Sequence, residues 1–123
     1  MPTFEPFDVV SVPFPYVDQE QFKRRPALIV SSAALLQRHG LLWVGMITSA
    51  MHRRRPDDVE IDNLVAAGLS RPSVVRAAKL AAVEPVRLRR IGAVSPAVAT
   101  KVSALLLGWL ARPGPSIASS DEP

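Results

Sequence analysis

Apolar residues come in short runs along this chain of 123 residues, and proline, glycine or charge breaks them about every ten positions, the rhythm of short strands joined by turns. The run over 7–14, Phe7-Asp8-Val9-Val10-Ser11-Val12-Pro13-Phe14, predicts a first strand that ends in the turn-rich Pro15-Tyr16-Val17-Asp18. Positions 18–23 are polar and without period, so they form a loop. The unbroken apolar stretch 27–30 predicts a strand covered on both faces. One helical turn is expected over 33–38, with Ser32 as its cap and His39-Gly40 as its end. Residues 41–49 form the next strand, ending in two hydroxyls, Thr48 and Ser49. A basic loop over 51–56 leads to a short strand over 57–61 with alternating acids. A brief helix over 63–69 closes at Gly68, and a strand over 73–78 continues past a bend into 80–83.

Ser95-Pro96 is a hydroxyl cap followed by proline at the first helical position, which starts a helix. Val98, Val102, Leu105, Leu106 and Trp109 then share one face, so a helix to about residue 110 should pack on the sheet. Arg112-Pro113-Gly114-Pro115 stops it. The fold class that follows is mainly β: a small antiparallel barrel or sandwich with a C-terminal helix. Residues 1–112 are expected to form a single domain, and 113–123 a flexible tail with too little apolar content to order itself.

Composition narrows the setting. With 48% hydrophobic residues a chain of this length buries one modest core. There is no cysteine, which excludes a disulfide framework and a thiolate zinc site. No apolar run is long enough to span a bilayer, and the first residues lack the pattern of a signal peptide, so a soluble cytoplasmic protein without membrane contact is expected. The net charge of +4 favours anionic partners, either nucleic acid or an acidic protein segment.

That charge is concentrated. Lys23-Arg24-Arg25 runs directly into Pro26, and a proline that opens a strand would set Arg25 at a stiff corner, where a guanidinium is suited to phosphate. His52 and Arg53 to Arg55 form a second basic group, fit for phosphates or for an acidic partner. His39 and His52 offer a rival acid and base pair, because imidazole titrates near neutrality. Tyr16 and Phe22 are candidate stacking residues, whereas Trp43 and Trp109 are expected in the core. No cluster of His, Asp and Glu has metal-ligand spacing, and no cofactor is expected.

In order along the chain, Phe7-Asp8-Val9-Val10, Pro13-Phe14, Asp18-Gln19-Glu20-Gln21, Arg24-Arg25-Pro26-Ala27-Leu28, Ile47-Thr48-Ser49, Gly68-Leu69, Ser73-Val74-Val75-Arg76 and Ile91-Gly92 with Ser95-Pro96 resemble the MazF/PemK family of type II toxins in one register over roughly 7–110. The resemblance implies an SH3-like barrel, a homodimer, and a metal-independent endoribonuclease that cleaves single-stranded RNA until a cognate antitoxin with an acidic flexible segment occupies its groove. It implies catalysis by Arg25 and Thr48, and matches Glu20 and Arg76 to a loop acid and a second arginine of the family. In this scheme Arg25 clamps the phosphorane with Arg76 as second clamp, Thr48 orients the scissile phosphate and Glu20 is the base. Arg24, Ser49, His52, Arg53, Arg54, Arg55, Arg76 and Lys79 are the expected contacts to RNA or antitoxin.

Two positions depart from the family pattern. Ala78 stands where some members carry an aspartate proposed as a base, and Phe7 replaces the glycine that usually precedes the first-strand aspartate. The first departure supports an alternative: a non-catalytic binding module that occludes a protein or antitoxin partner.

Overall fold

In the computed structural model, which describes residues 3–15, 22–51 and 54–114, six strands pair in one wholly antiparallel sheet. They are β1 (Asp8–Pro15), β2 (Phe22–Ile29), β3 (Leu42–Ser49), β4 (Asp58–Glu60), β5 (Ser73–Val83) and β6 (Arg89–Ala93), in the spatial order β4-β5-β3-β2-β1-β6. The helices are α1 (Ala33–His39), α2 (Leu64–Ala67) and α3 (Pro96–Trp109), with a 3-10 turn at Pro85–Arg87.

The period-2 pattern works on both faces of the sheet. Val9, Leu28, Ile47, Val75 and Ala77 form one core with Val98 and Val102 of α3. Val10, Val12, Ala27, Ile29, Leu42 and Val44 form a second with Phe4 and Leu88, against which Leu36 of α1 packs. The neighbours Val9 and Val10 are both fully buried, each in its own core, because successive strand residues face opposite sides of the sheet.

The edge strands β4 and β6 do not pair with each other, so the barrel is open in its hydrogen bonding. Backbone contact across α2 covers the gap. A Cβ on Gly92 would run into the main chain of Ala66 and Ala67, and one on Gly68, which has φ +74°, would strike the carbonyl of Ile91. Only glycine lets the segments approach so closely.

Most of the expected elements are present, with informative differences. The helix starting at Ser95 is confirmed: its hydroxyl accepts from Val98 N–H at 3.3 Å and donates to Asp62 at 2.9 Å. Asn63 caps α2 through Ala66 N–H at 3.1 Å. Ser32 precedes α1 but makes no side-chain cap bond. The strand expected to begin at Pro26 begins at Phe22, so Lys23, Arg24 and Arg25 belong to β2 and Pro26 lies inside it. Proline is tolerated because β2 has only β1 beside it there; its ladder with β3 begins at Ala27. The two pieces expected over 73–83 form one strand, its bend absorbed by a register shift opposite Gly45 and Met46. Strand β6 was not anticipated, since Arg89-Arg90 hides a ladder that only its pairing with β1 creates.

Trp43 and Trp109 are not core residues. They are 46% and 47% exposed and line an apolar groove of about 340 Å³ with Phe7, Val30, Leu80 and Leu106. Of the tail, Pro113 and Gly114 are exposed and the rest lies outside the described residues. Among the described residues no helix is long and apolar enough to cross a membrane.

Candidate functional site

Strand β2 runs between β1 and β3 only as far as Ala27, which pairs with Met46. The next positions on the same face, Arg25 and Thr48, leave the ladder opposite each other where the strands part. The gap opens into a cleft of about 380 Å³. Arg24, Arg25 and Pro26 of β2, Thr48 and Ser49 of β3, Ser11 of β1, Ile91 of β6 and the stretch from Gly68 to Arg71, with Ser73, line it.

The cations of the basic run have different duties. Arg24 donates from Nε to the Ser11 hydroxyl at 2.8 Å, and from Nη2 to the carbonyls of Ser11 and Arg87, both at 2.9 Å. It straps β2 to β1 and to the 3-10 turn, so its guanidinium is a fixed charge on the rim. Arg25 is exposed on the cleft beside Thr48. Ser49 accepts from Met51 N–H at 3.1 Å, which orders the start of the basic loop.

Arg76, expected as a second clamp, is not a lining residue of the cleft. Its guanidinium meets Asp58 of β4 through Nε at 3.1 Å and Nη2 at 2.9 Å, with the Asp58 side chain only 2% exposed. The hydrogen bond from Arg76, aided by the Arg55 N–H at 2.9 Å, holds the Asp58 carboxyl below its ordinary range against the opposing effect of burial, and raises Arg76 in return. A charge so neutralised is a structural tie between the edge strand β4 and its neighbour β5. Lys79 is exposed on β5, and neither it nor the exposed Arg54 and Arg55 lines the cleft. Glu20, His52, Arg53 and Tyr16 lie outside the described residues. His39 ends α1 and is exposed, and the pairing expected between it and His52 falls outside the described residues.

Ser11, Ser70, Arg71 and Ser73 were missed from the sequence. Arg71-Pro72 repeats the Arg25-Pro26 dipeptide, but so do Arg55-Pro56 and Arg112-Pro113, neither of which lines the cleft, so the repetition was no signal. Ser73 is buried and donates to the Arg71 carbonyl at 2.8 Å, which stiffens the turn that presents Arg71. Among the described residues no group of three His, Cys, Asp or Glu could hold a metal ion.

Phe7 and Ala78, the two departures, lie on the apolar groove and not in the cleft. Phe7 has φ +69°, the left-handed conformation that glycine adopts without strain, and hydrogen bonds from its N–H to the Ile29 carbonyl at 2.7 Å and from Val94 N–H to its own carbonyl at 3.3 Å hold it there.

Comparison with known proteins agrees with this geometry. MazF from Deinococcus radiodurans is 27% identical, with a TM-score of 0.64 over 85% of this chain and 96% of that one. A MazE–MazF complex from the same organism is 25% identical, with a TM-score of 0.67 over 85% and 95%. A mycobacterial endoribonuclease bound to its cognate antitoxin shares the fold at 20% identity, with a TM-score of 0.67 over 89% and 100%. No curated protein sequence matches the chain. A family model described as PemK-like, MazF-like toxin of type II toxin–antitoxin system matches residues 5–110, so the chain belongs to the MazF/PemK family of toxins.

Proposed function

We propose that the protein is a homodimeric, metal-independent endoribonuclease that cleaves single-stranded RNA and is held in check by an antitoxin with an acidic flexible segment. The observation that carries this reading is the meeting of Arg25 and Thr48 at one open cleft, in a family known for endoribonucleases. In the reaction the 2′-hydroxyl attacks the adjacent phosphorus, its proton passing to a base for which Glu20 is the candidate. A cyclic 2′,3′-phosphate forms and the 5′-oxygen leaves with a proton. Arg25 stabilises the charge that accumulates on the phosphorane, and the Thr48 hydroxyl orients the phosphate. Arg71, which faces the same cleft, takes the supporting role that the sequence assigned to Arg76.

The location of Ala78 supports catalysis over the non-catalytic module. The missing acid would have stood on the apolar groove, so this chain's own cleft loses nothing by its absence. That groove suits a second copy: Trp43, Leu80, Leu107, Trp109 and Leu110 are large and exposed, the kind of patch that marks an interface. Arg54 and Arg55, exposed beyond β3, suit the acidic antitoxin segment.

Incubation of the purified protein with single-stranded RNA in EDTA, followed by end mapping, tests the reading. Fragments bearing 2′,3′-cyclic phosphate and 5′-hydroxyl ends are expected. Intact RNA, or cleavage that EDTA abolishes, refutes it.

A further inference from the structure

Beyond the strap made by Arg24 lies a second cleft, of about 390 Å³, lined by Pro13, Arg24, Val86, Arg87, Leu88 and Arg89. Among its six described lining residues three are arginines and none is an acid, so a ligand there must be anionic or the charges must be hydrated. Arg24 lines both this cleft and the one that holds Arg25 and Thr48, so the two are neighbours across a single guanidinium. The register fixes their relation: Ser11 stands between Pro26 of β2 on one side and Arg89 of β6 on the other, so Arg89 is two strand spacings, roughly 10 Å, from the strand that carries Arg25.

The neighbours of these arginines separate structural charge from available charge. Arg90 is tied to the buried Asp8 at 3.1 Å. Arg24 is tied to Ser11 and Arg87. Among the described residues Arg87 and Arg89 make no side-chain hydrogen bond or ion pair, and both are exposed. We infer that this second cleft is an accessory RNA site, in which Arg87 and Arg89 bind backbone phosphates of the same strand whose scissile phosphate lies at Arg25. The inference rests on the ribonuclease reading of the main cleft. Guanidinium groups in a row, with Val86 and Leu88 the only large apolar side chains and no aromatic anchor among the described lining residues, fit a sugar-phosphate backbone better than an acidic peptide, which would need apolar anchors to bind with useful strength.

The test compares a short RNA that fills only the main cleft, about four nucleotides, with one about twelve nucleotides long that carries the same cleavage site. The wild-type protein should cleave the long RNA with the higher kcat/KM. In Arg87→Ala/Arg89→Ala that advantage should fall about tenfold through KM, with the salt dependence of binding reduced by about two in slope, one for each phosphate contact. Arg38→Ala, on α1, serves as a control for loss of positive charge alone and should keep the advantage. Equal loss on both RNAs, or no loss, overturns the proposal. So does a variant that keeps its affinity for the long RNA while losing an acidic peptide of alternating Glu and Leu, since the cleft would then be a peptide site. If the wild type cuts neither RNA, the ribonuclease reading fails separately. Fluorescence anisotropy with a long 2′-O-methyl RNA then decides the accessory site: binding weakened by the double substitution supports it, and unchanged binding removes it.

Discussion

One sheet carries two open depressions of similar volume and opposite character. The cleft at the parting of β2 and β3 is lined by hydroxyls and guanidinium groups, and the groove between α3 and the β3–β5 ladder by tryptophan, leucine and phenylalanine. The first can stabilise charge and the second can only exclude water. A cation desolvated without a partner is costly, so the cleft calls for an anion, whereas exposed indole and leucine lower the free energy of any surface that covers them. On the proposed function the difference divides the labour, chemistry at one end of β3 and assembly at the other, with Trp43 and Thr48 on the same eight-residue strand.

The comparison can be broken most sharply at Arg25. Arg25→Ala should lower cleavage by a factor of at least 100, a loss of about 3 kcal/mol of transition-state stabilisation, while circular dichroism and molecular mass stay as in the wild type. Activity retained within tenfold would show that charge stabilisation lies elsewhere. On the other side, Leu80→Arg places a charge in the apolar groove and should cost about 2 kcal/mol or more of self-association, read by light scattering as a fall from dimer to monomer. A variant that stays dimeric would move the interface off this groove.

Asp58→Asn tests whether Arg76 stands apart from both. The Asp58 carboxyl titrates below its unfolded value, so its contribution is present above the ordinary carboxylate range, near pH 4, and is lost as the pH falls through the folded pKa. The substitution should cost about 2 kcal/mol at neutral pH in urea unfolding and flatten the acid limb of the stability profile, with cleavage by the folded protein close to wild type. Cleavage falling as far as in Arg25→Ala would return Arg76 to the catalytic site. The smallest effect is expected from Arg71→Ala, which should raise KM several-fold and reduce the salt slope by about one. An unchanged KM would leave Arg71 a bystander on the rim.

The two depressions were unequally legible in the sequence. The cleft announces itself because its chemistry is written in residue types: Arg24-Arg25 is a pair of cations at the mouth of the apolar stretch 27–30, and Thr48-Ser49 are hydroxyls where the apolar run of β3 stops. The groove uses the same tryptophans and leucines that a core would use, and a pattern of apolar positions cannot tell burial within one chain from burial against another. Trp109 was placed in the helix stripe correctly, but whereas Val98 and Val102 are buried in the core, Trp109 lies half exposed on the groove with Trp43 and Leu80. The pairing of Arg76 was hidden for a related reason. Its partner Asp58 lies eighteen residues away, and their meeting depends on the register of β4 against β5. Strand β6 escaped notice because its pattern is dominated by arginines whose ladder partners lie at the other end of the chain.

The close approach of Gly92 to α2 bears on the order in which the protein can come into being. Arg25 and Thr48 are made before the wall that faces them, from Gly68 to Ser73, and that wall is braced by a strand made later still. Until β6 has emerged and laid its backbone against Ala66 and Ala67, the nascent chain holds both sequence motifs on an unfinished frame. The timetable of translation thus withholds the completed cleft until β6 has been made.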